Sequence, residues 1–146
     1  MTRMGHRGRD LLLPLLLSCF VSCSPECGPF DVRSAPTSSE ADFVVQYPAG
    51  VSALRVRVTT VPENPDRPVW VLEEQSPGKL ANPLPLTYGV VPEGMAEVEK
   101  ALPVREGALV RVTASYPSGS VWVPVCSAGR LYRRVGGRFT EAPEGK

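Results

Sequence analysis

Two stretches of this chain alternate apolar and polar side chains without a break. In SALRVRVTT (52–60), Leu54, Val56 and Val58 point one way and Arg55, Arg57 and Thr59 the other. In LVRVTASY (109–116), Val110, Val112 and Ala114 oppose Arg111 and Thr113. A period of two is the mark of a strand with one face buried. DFVVQY (42–47) and LTYGVV (86–91) predict further short strands, closed by PAG and PEG. VWVLEE (69–74) sets Trp70 and Leu72 against Val69 and Val71, which predicts a strand covered on both faces. MAEVEKAL (95–102) fits a turn of helix or an edge strand equally. PSG (117–119) predicts a tight turn from 109–116 into SVWVPVC (120–126), where Pro124 implies an edge or a bulge. RLYRRVGGRFTE (130–141) predicts a second hairpin about Gly136-Gly137.

Seven or eight short strands separated by turn signals predict an all-β fold, a small antiparallel β-sandwich over residues 42–142. The 16 prolines and 13 glycines argue the same way, because they interrupt long helices. No repeat of 20–50 residues is present, which argues against a propeller or solenoid. Residues 23–41 are rich in Ser, Pro and Gly and read as a flexible tether. Residues 143–146 read as a loose tail.

A net charge of +1 gives no electrostatic case for nucleic acid. The net positive charge comes from the start of the chain, and without residues 1–22 the remainder holds 13 basic and 14 acidic side chains. MTRMGHRGRD (1–10) holds Arg3, Arg7 and Arg9 against Asp10, and also the chain's one histidine, His6. LLLPLLLSCFVS (11–22) follows as a short apolar run. A basic start and a run of this length form the pattern of a signal peptide over residues 1–22. A spanning helix needs about 20 apolar residues.

The end of that run resembles a bacterial lipoprotein signal, read by the type II signal peptidase. LLSC (16–19) fits its lipobox, and FVSC (20–23) fits with Phe20 where leucine is usual. The resemblance implies diacylglycerol on a cysteine thiol, cleavage before that cysteine, and an anchor in membrane lipid. Two or more acyl chains hold a protein stably, at ~0.8 kcal/mol per buried CH₂. Cysteine parity bears on which residue is modified. With Cys19 lipidated, Cys23, Cys27 and Cys126 remain, an odd number. With Cys23 lipidated, Cys19 leaves and Cys27 and Cys126 can form a disulfide. The expectation is lipidation at Cys23, with Cys19 as the alternative. Ser24 after Cys23 is compatible with outer-membrane sorting, since the usual retention signal there is aspartate. A fainter similarity lies in LPVREGALVRV (102–112), which resembles the corner into a late strand of fibronectin type III domains, with Leu109 where that family has tyrosine. It implies a sandwich and carries over no functional residue.

Candidate chemistry is sparse. Cys19, Cys23 and Cys27 have no second cysteine pair and, after cleavage, no histidine to complete a zinc site, so no metal is expected. Loss of His6 also removes the usual base of a nucleophilic triad. Ser76 and Lys79 have dyad spacing, but in a Pro-Gly turn. Glu73, Glu74, Glu93, Glu97 and Glu99 are acids without a sequence-level reason to share a cleft. Arg130, Arg133, Arg134 and Arg138 read as the solvated face of a hairpin, with contact to anionic head groups or an acidic polymer as the rival reading. Trp70 and Trp122 read as core anchors. The expected function is a non-catalytic, lipid-anchored module of the cell envelope and outer membrane. It would need no cofactor, and its partner would be an unidentified envelope protein or polymer. The alternatives are a carboxylate-based hydrolase of envelope polymers or a carrier of a small apolar ligand.

Overall fold

The computed structural model describes residues 27–62, 67–76, 78–118 and 125–144. Within them the chain forms nine strands: β1 (Asp31–Ser34), β2 (Phe43–Gln46), β3 (Arg55–Thr60), β4 (Trp70–Glu74), β5 (Leu84–Leu86), β6 (Met95–Glu99), β7 (Leu109–Pro117), β8 (Val125–Val135) and β9 (Arg138–Glu141). They make two antiparallel sheets, β1-β2-β5 and β6-β4-β3-β7-β8-β9. This is the all-β sandwich that the alternation predicts. Among the described residues no helix is long and apolar enough to cross a membrane.

Alternation decides which side chains lie between the sheets. The small sheet contributes Val32, Phe43, Val45, Leu84 and Leu86, and the large one Val56, Val58, Trp70, Leu72, Val110 and Val112, all essentially inaccessible. Phe43 meets Tyr132 edge-on at 4.7 Å, and Phe139 packs beside it. Trp70, Val71 and Leu72 are all buried, so β4 is covered on both faces as its sequence predicts. A disulfide joins Cys27 to Cys126, with Cα atoms 5.6 Å apart.

Three segments differ from the pattern reading, and at 95–102 the edge strand, one of the two readings left open, is the one formed. β1 lies within the stretch whose composition reads as a tether. Val32 is its one fully buried residue, and a four-residue strand with a single inward side chain leaves almost no periodic signal. The strand expected at 86–91 sits instead at 84–86. Leu84 and Leu86 point inward, while Pro85 faces out on an edge strand, where its missing N–H costs nothing. β6 is an edge strand, bulged opposite Val71/Leu72. β7 runs on into the first position of the turn expected at 117–119, because Tyr116 faces Cys126 and Pro117 faces Val125; Gly119 of that turn lies outside the described residues. β8 is one continuous strand that pairs with β7 on one side and β9 on the other, and the 120–124 portion of the expected strand lies outside the described residues. The β8–β9 hairpin turns at Gly136-Gly137 as predicted. Both glycines have positive φ, 60° and 76°, which a two-residue turn matched to strand twist requires.

Tyrosine hydroxyls fasten the loops. Tyr47 Oη donates to Ala81 O at 2.7 Å, Tyr88 Oη to Leu102 O at 2.6 Å, and Tyr116 Oη to Cys27 O. Tyr132 is fully buried, and Ser34 lies beside its hydroxyl short of hydrogen-bond geometry. Burial above all, then the Glu141 carboxylate, pushes Tyr132 up to about 12; burial likewise raises Tyr88 to about 12. Unfolded tyrosines ionise near ~10, so the neutral hydroxyls favour the fold fully below that pH. The contribution is lost as pH rises from about 10 to about 12. Tyrosinate absorbance and near-ultraviolet circular dichroism are therefore expected to change together above pH ~10, as unfolding releases the buried hydroxyls. Titration of all four tyrosines near their ordinary value with the fold intact would contradict this.

Candidate functional site

The acids do not converge. Glu73 and Glu74 are neighbours on β4, so alternation sends their side chains to opposite faces. Glu73 meets Arg55 at 3.6 Å on the outer face of the large sheet, where both side chains are about half exposed. Glu97 accepts from the indole Nε1 of Trp70 at 2.9 Å and from Ala101 N at 3.4 Å. Its carboxylate satisfies a buried donor, which is a structural duty. Glu99 is exposed on the edge strand, and Glu93 is exposed in the β5–β6 loop. The Ser76–Lys79 pair belongs to a turn in which Lys79 N donates to Ser76 O at 3.3 Å. Among the described residues no group of three or more His, Cys, Asp or Glu side chains is placed to hold a metal ion.

The arginine cluster of β8 and β9 is dispersed by the same alternation. Arg130 points inward at the sheet rim, opposite Val112, and is closed over by Glu141 at 2.7 Å and Asp31 at 3.1 Å. The hydrogen bond that it donates to the Glu141 carboxylate is the main cause that holds its guanidinium above the ordinary value. Arg134 lies over the Phe139 ring, 4.7 Å from its centroid. Arg133, on the opposite face from Arg130, donates to Gly107 O, and Arg138 donates to Ser39 O in the β1–β2 connection. The four side chains therefore do not form one basic patch. Trp70 is a core residue; Trp122 lies outside the described residues.

What does converge is one end of the sandwich. Cys27 enters there, and the loop 48–52, the end of β7 and the end of β4 surround it. A hollow of about 540 Å³ lies against Cys27, Gly50, Val51 and Ser118. A second, of about 320 Å³, is walled by Ala53, Arg55, Glu74, Ser115 and Tyr116. A third, of about 310 Å³, lies between Tyr47, Ser52, Glu74 and Asn82. Ala53 stands at φ 59°, a left-handed backbone that costs an L-residue about 1–2 kcal/mol. These hollows are small and open, shaped by loops rather than by a catalytic constellation.

The two cysteines expected to pair are the two that are bonded. Cys23 and Cys19, the candidate lipidation residues, lie outside the described residues. Sequence reasoning gave no signal for the Trp70–Glu97 pair, because the two residues lie 27 positions apart. Compared with known family models, curated proteins and solved structures, the chain matches none. Fold and site together define a small disulfide-bonded antiparallel β-sandwich.

Proposed function

We propose that this chain is a non-catalytic, lipid-anchored module of a bacterial cell envelope that binds an envelope protein or polymer. The observation that carries the reading is the Cys27–Cys126 bond. It takes up the two cysteines that remain if Cys19 leaves with a leader and Cys23 bears the lipid. Structural disulfides persist in oxidising compartments, among them the bacterial periplasm and cell surface.

The same bond shortens the leash. Cys27 lies four positions after Cys23, and a fully extended chain spans at most ~3.6 Å per residue, so the anchor reaches no more than ~14 Å from the disulfide. The domain would thus sit close against the bilayer, with the Cys27 end and its 48–52 loop toward the lipid. Growth with a labelled fatty acid tests this. Label is expected on the wild-type chain and absent from Cys23→Ala, with the unlabelled variant leaving the membrane fraction. Equal labelling of both would overturn the assignment to Cys23.

A further inference from the structure

One hollow at the Cys27 end holds an acid whose charge the fold leaves unanswered. Glu74 shares its face of β4 with Trp70 and Leu72, so its side chain turns inward, at the mouth between the sheets. The hollow of about 310 Å³ there is walled by Tyr47, Val51, Ser52, Leu80 and Asn82 as well as Glu74. Two of these walls are fixed by their own bonds. Tyr47 Oη donates to Ala81 O at 2.7 Å, and Asn82 Nδ2 donates to Tyr47 O at 2.8 Å. Burial above all, then the Glu74 carboxylate, raises the Tyr47 hydroxyl above its ordinary value, so the acid acts on the hydroxyl across this space.

Glu74 Oε1 is shut off from solvent and accepts no hydrogen bond. A carboxylate oxygen held in this way costs free energy until a donor reaches it. The cations of the neighbouring segments do not supply one. Arg55 meets Glu73 on the outer face, and Lys79 makes no ion pair among the described residues. Lys79 is exposed, between Gly78 and Leu80, both of which wall the hollow. A carboxylate inside and an ammonium at the rim match a ligand of the reverse order, with an ammonium leading and a phosphate behind it. An aromatic wall also suits a cation. A lipid headgroup of the ethanolamine type has this order of charges. The 48–52 loop that walls this hollow also walls the one against Cys27, which in the envelope reading lies within ~14 Å of chain from the anchor.

We propose that the Tyr47–Glu74 hollow receives the ammonium of an ethanolamine-type lipid headgroup, with Lys79 toward its phosphate. The inference rests on the lipid-anchor reading for the nearness of the bilayer, while the affinity of the hollow for the headgroup does not. Full chain purified in detergent is titrated with glycerophosphoethanolamine, with methylammonium and with glycerophosphoglycerol. Amide shifts in the unmodified chain should centre on Gly50, Ser52, Gly78 and Asn82, which keeps the test independent of any variant's folding. Glycerophosphoethanolamine should bind, methylammonium more weakly because it lacks the phosphate, and glycerophosphoglycerol not at all. Glu74→Gln is expected to weaken headgroup binding about tenfold, since it removes the charge that strengthens the ammonium's hydrogen bond. Glu99→Gln should bind like wild type, because Glu99 lies opposite Val71, away from the Met95 end of β6 that faces Glu74. In nanodiscs loaded with chain that carries the fatty-acid label, phosphatidylethanolamine should reproduce the shifts and phosphatidylglycerol alone should not. No shifts, shifts centred elsewhere, or unchanged binding in Glu74→Gln would each overturn the site. Tighter binding after Lys79→Gln would make Lys79 the occupant of the hollow and would overturn it equally. Methylammonium binding as tightly as the headgroup, or shifts with the free headgroup and none in the discs, would overturn the lipid as ligand. Because the titration uses soluble headgroups, its failure leaves the lipid anchor to be judged by the labelling test.

Discussion

Replacing Cys27 by serine is expected to lower the stability of the domain by about 4 kcal/mol. The bond closes a loop between residues 99 positions apart. In the chain-entropy picture a loop of about 100 residues is worth ~4.7 kcal/mol, with typical measured values of 2–4. Cys27 is the better position to change, because it is half-buried whereas Cys126 is only 1% exposed. A serine hydroxyl at 126 would add its own desolvation cost. The loss reaches past the sulfurs. Tyr116 Oη donates to Cys27 O, and Phe30 packs on the Tyr116 ring at 4.9 Å. Both contacts help seat β1, whose Asp31 covers Arg130. Urea melts of oxidised wild type, reduced wild type and Cys27→Ser should show the last two coinciding, well below the first. A reduced chain that melts with the oxidised one would contradict this.

Trp70→Ala should cost about as much, at ~3–5 kcal/mol, because it removes the largest fully buried side chain from the centre of the sandwich. Trp70 also meets the Tyr88 ring at 5.2 Å, and the Tyr88 hydroxyl holds the 102 loop. Trp70→Phe separates volume from hydrogen bonding. It keeps a ring against Tyr88 but gives up the donor to Glu97. Glu97→Ala makes the complementary change, leaving Nε1 buried without an acceptor, at about 1–3 kcal/mol. Denaturant midpoints are expected in the order wild type, then Glu97→Ala, then Trp70→Ala. A Glu97→Ala chain as stable as wild type would remove the structural role assigned to that carboxylate, and would return Glu97 to the acids available for chemistry.

The long alternating stretches of β3 and β7 were legible because each buries one face and exposes the other over several residues. β8 was legible only at its two ends, and Arg130 shows why its middle was not. It occupies an inward position, which only Asp31 from β1 and Glu141 from β9 make tolerable. Neither partner is near in sequence to signal it, and Gly129 beside it further interrupts the pattern. β1 and β5 carry one and two inward apolar residues, too few to set a period. The pairing of Cys27 with Cys126 was legible by counting, since it depends on parity and not on position.

The account turns on the fate of the first cysteines, and one measurement reaches it directly: the mass of the N-terminal peptide of chain recovered from membranes. The account predicts a peptide that begins at Cys23 and carries diacylglycerol on its thiol, with Cys27 found in disulfide linkage to Cys126. A peptide beginning at a lipidated Cys19 would contradict the assignment to Cys23. A chain that keeps residues 1–22 with unmodified cysteines would contradict the lipid anchor itself.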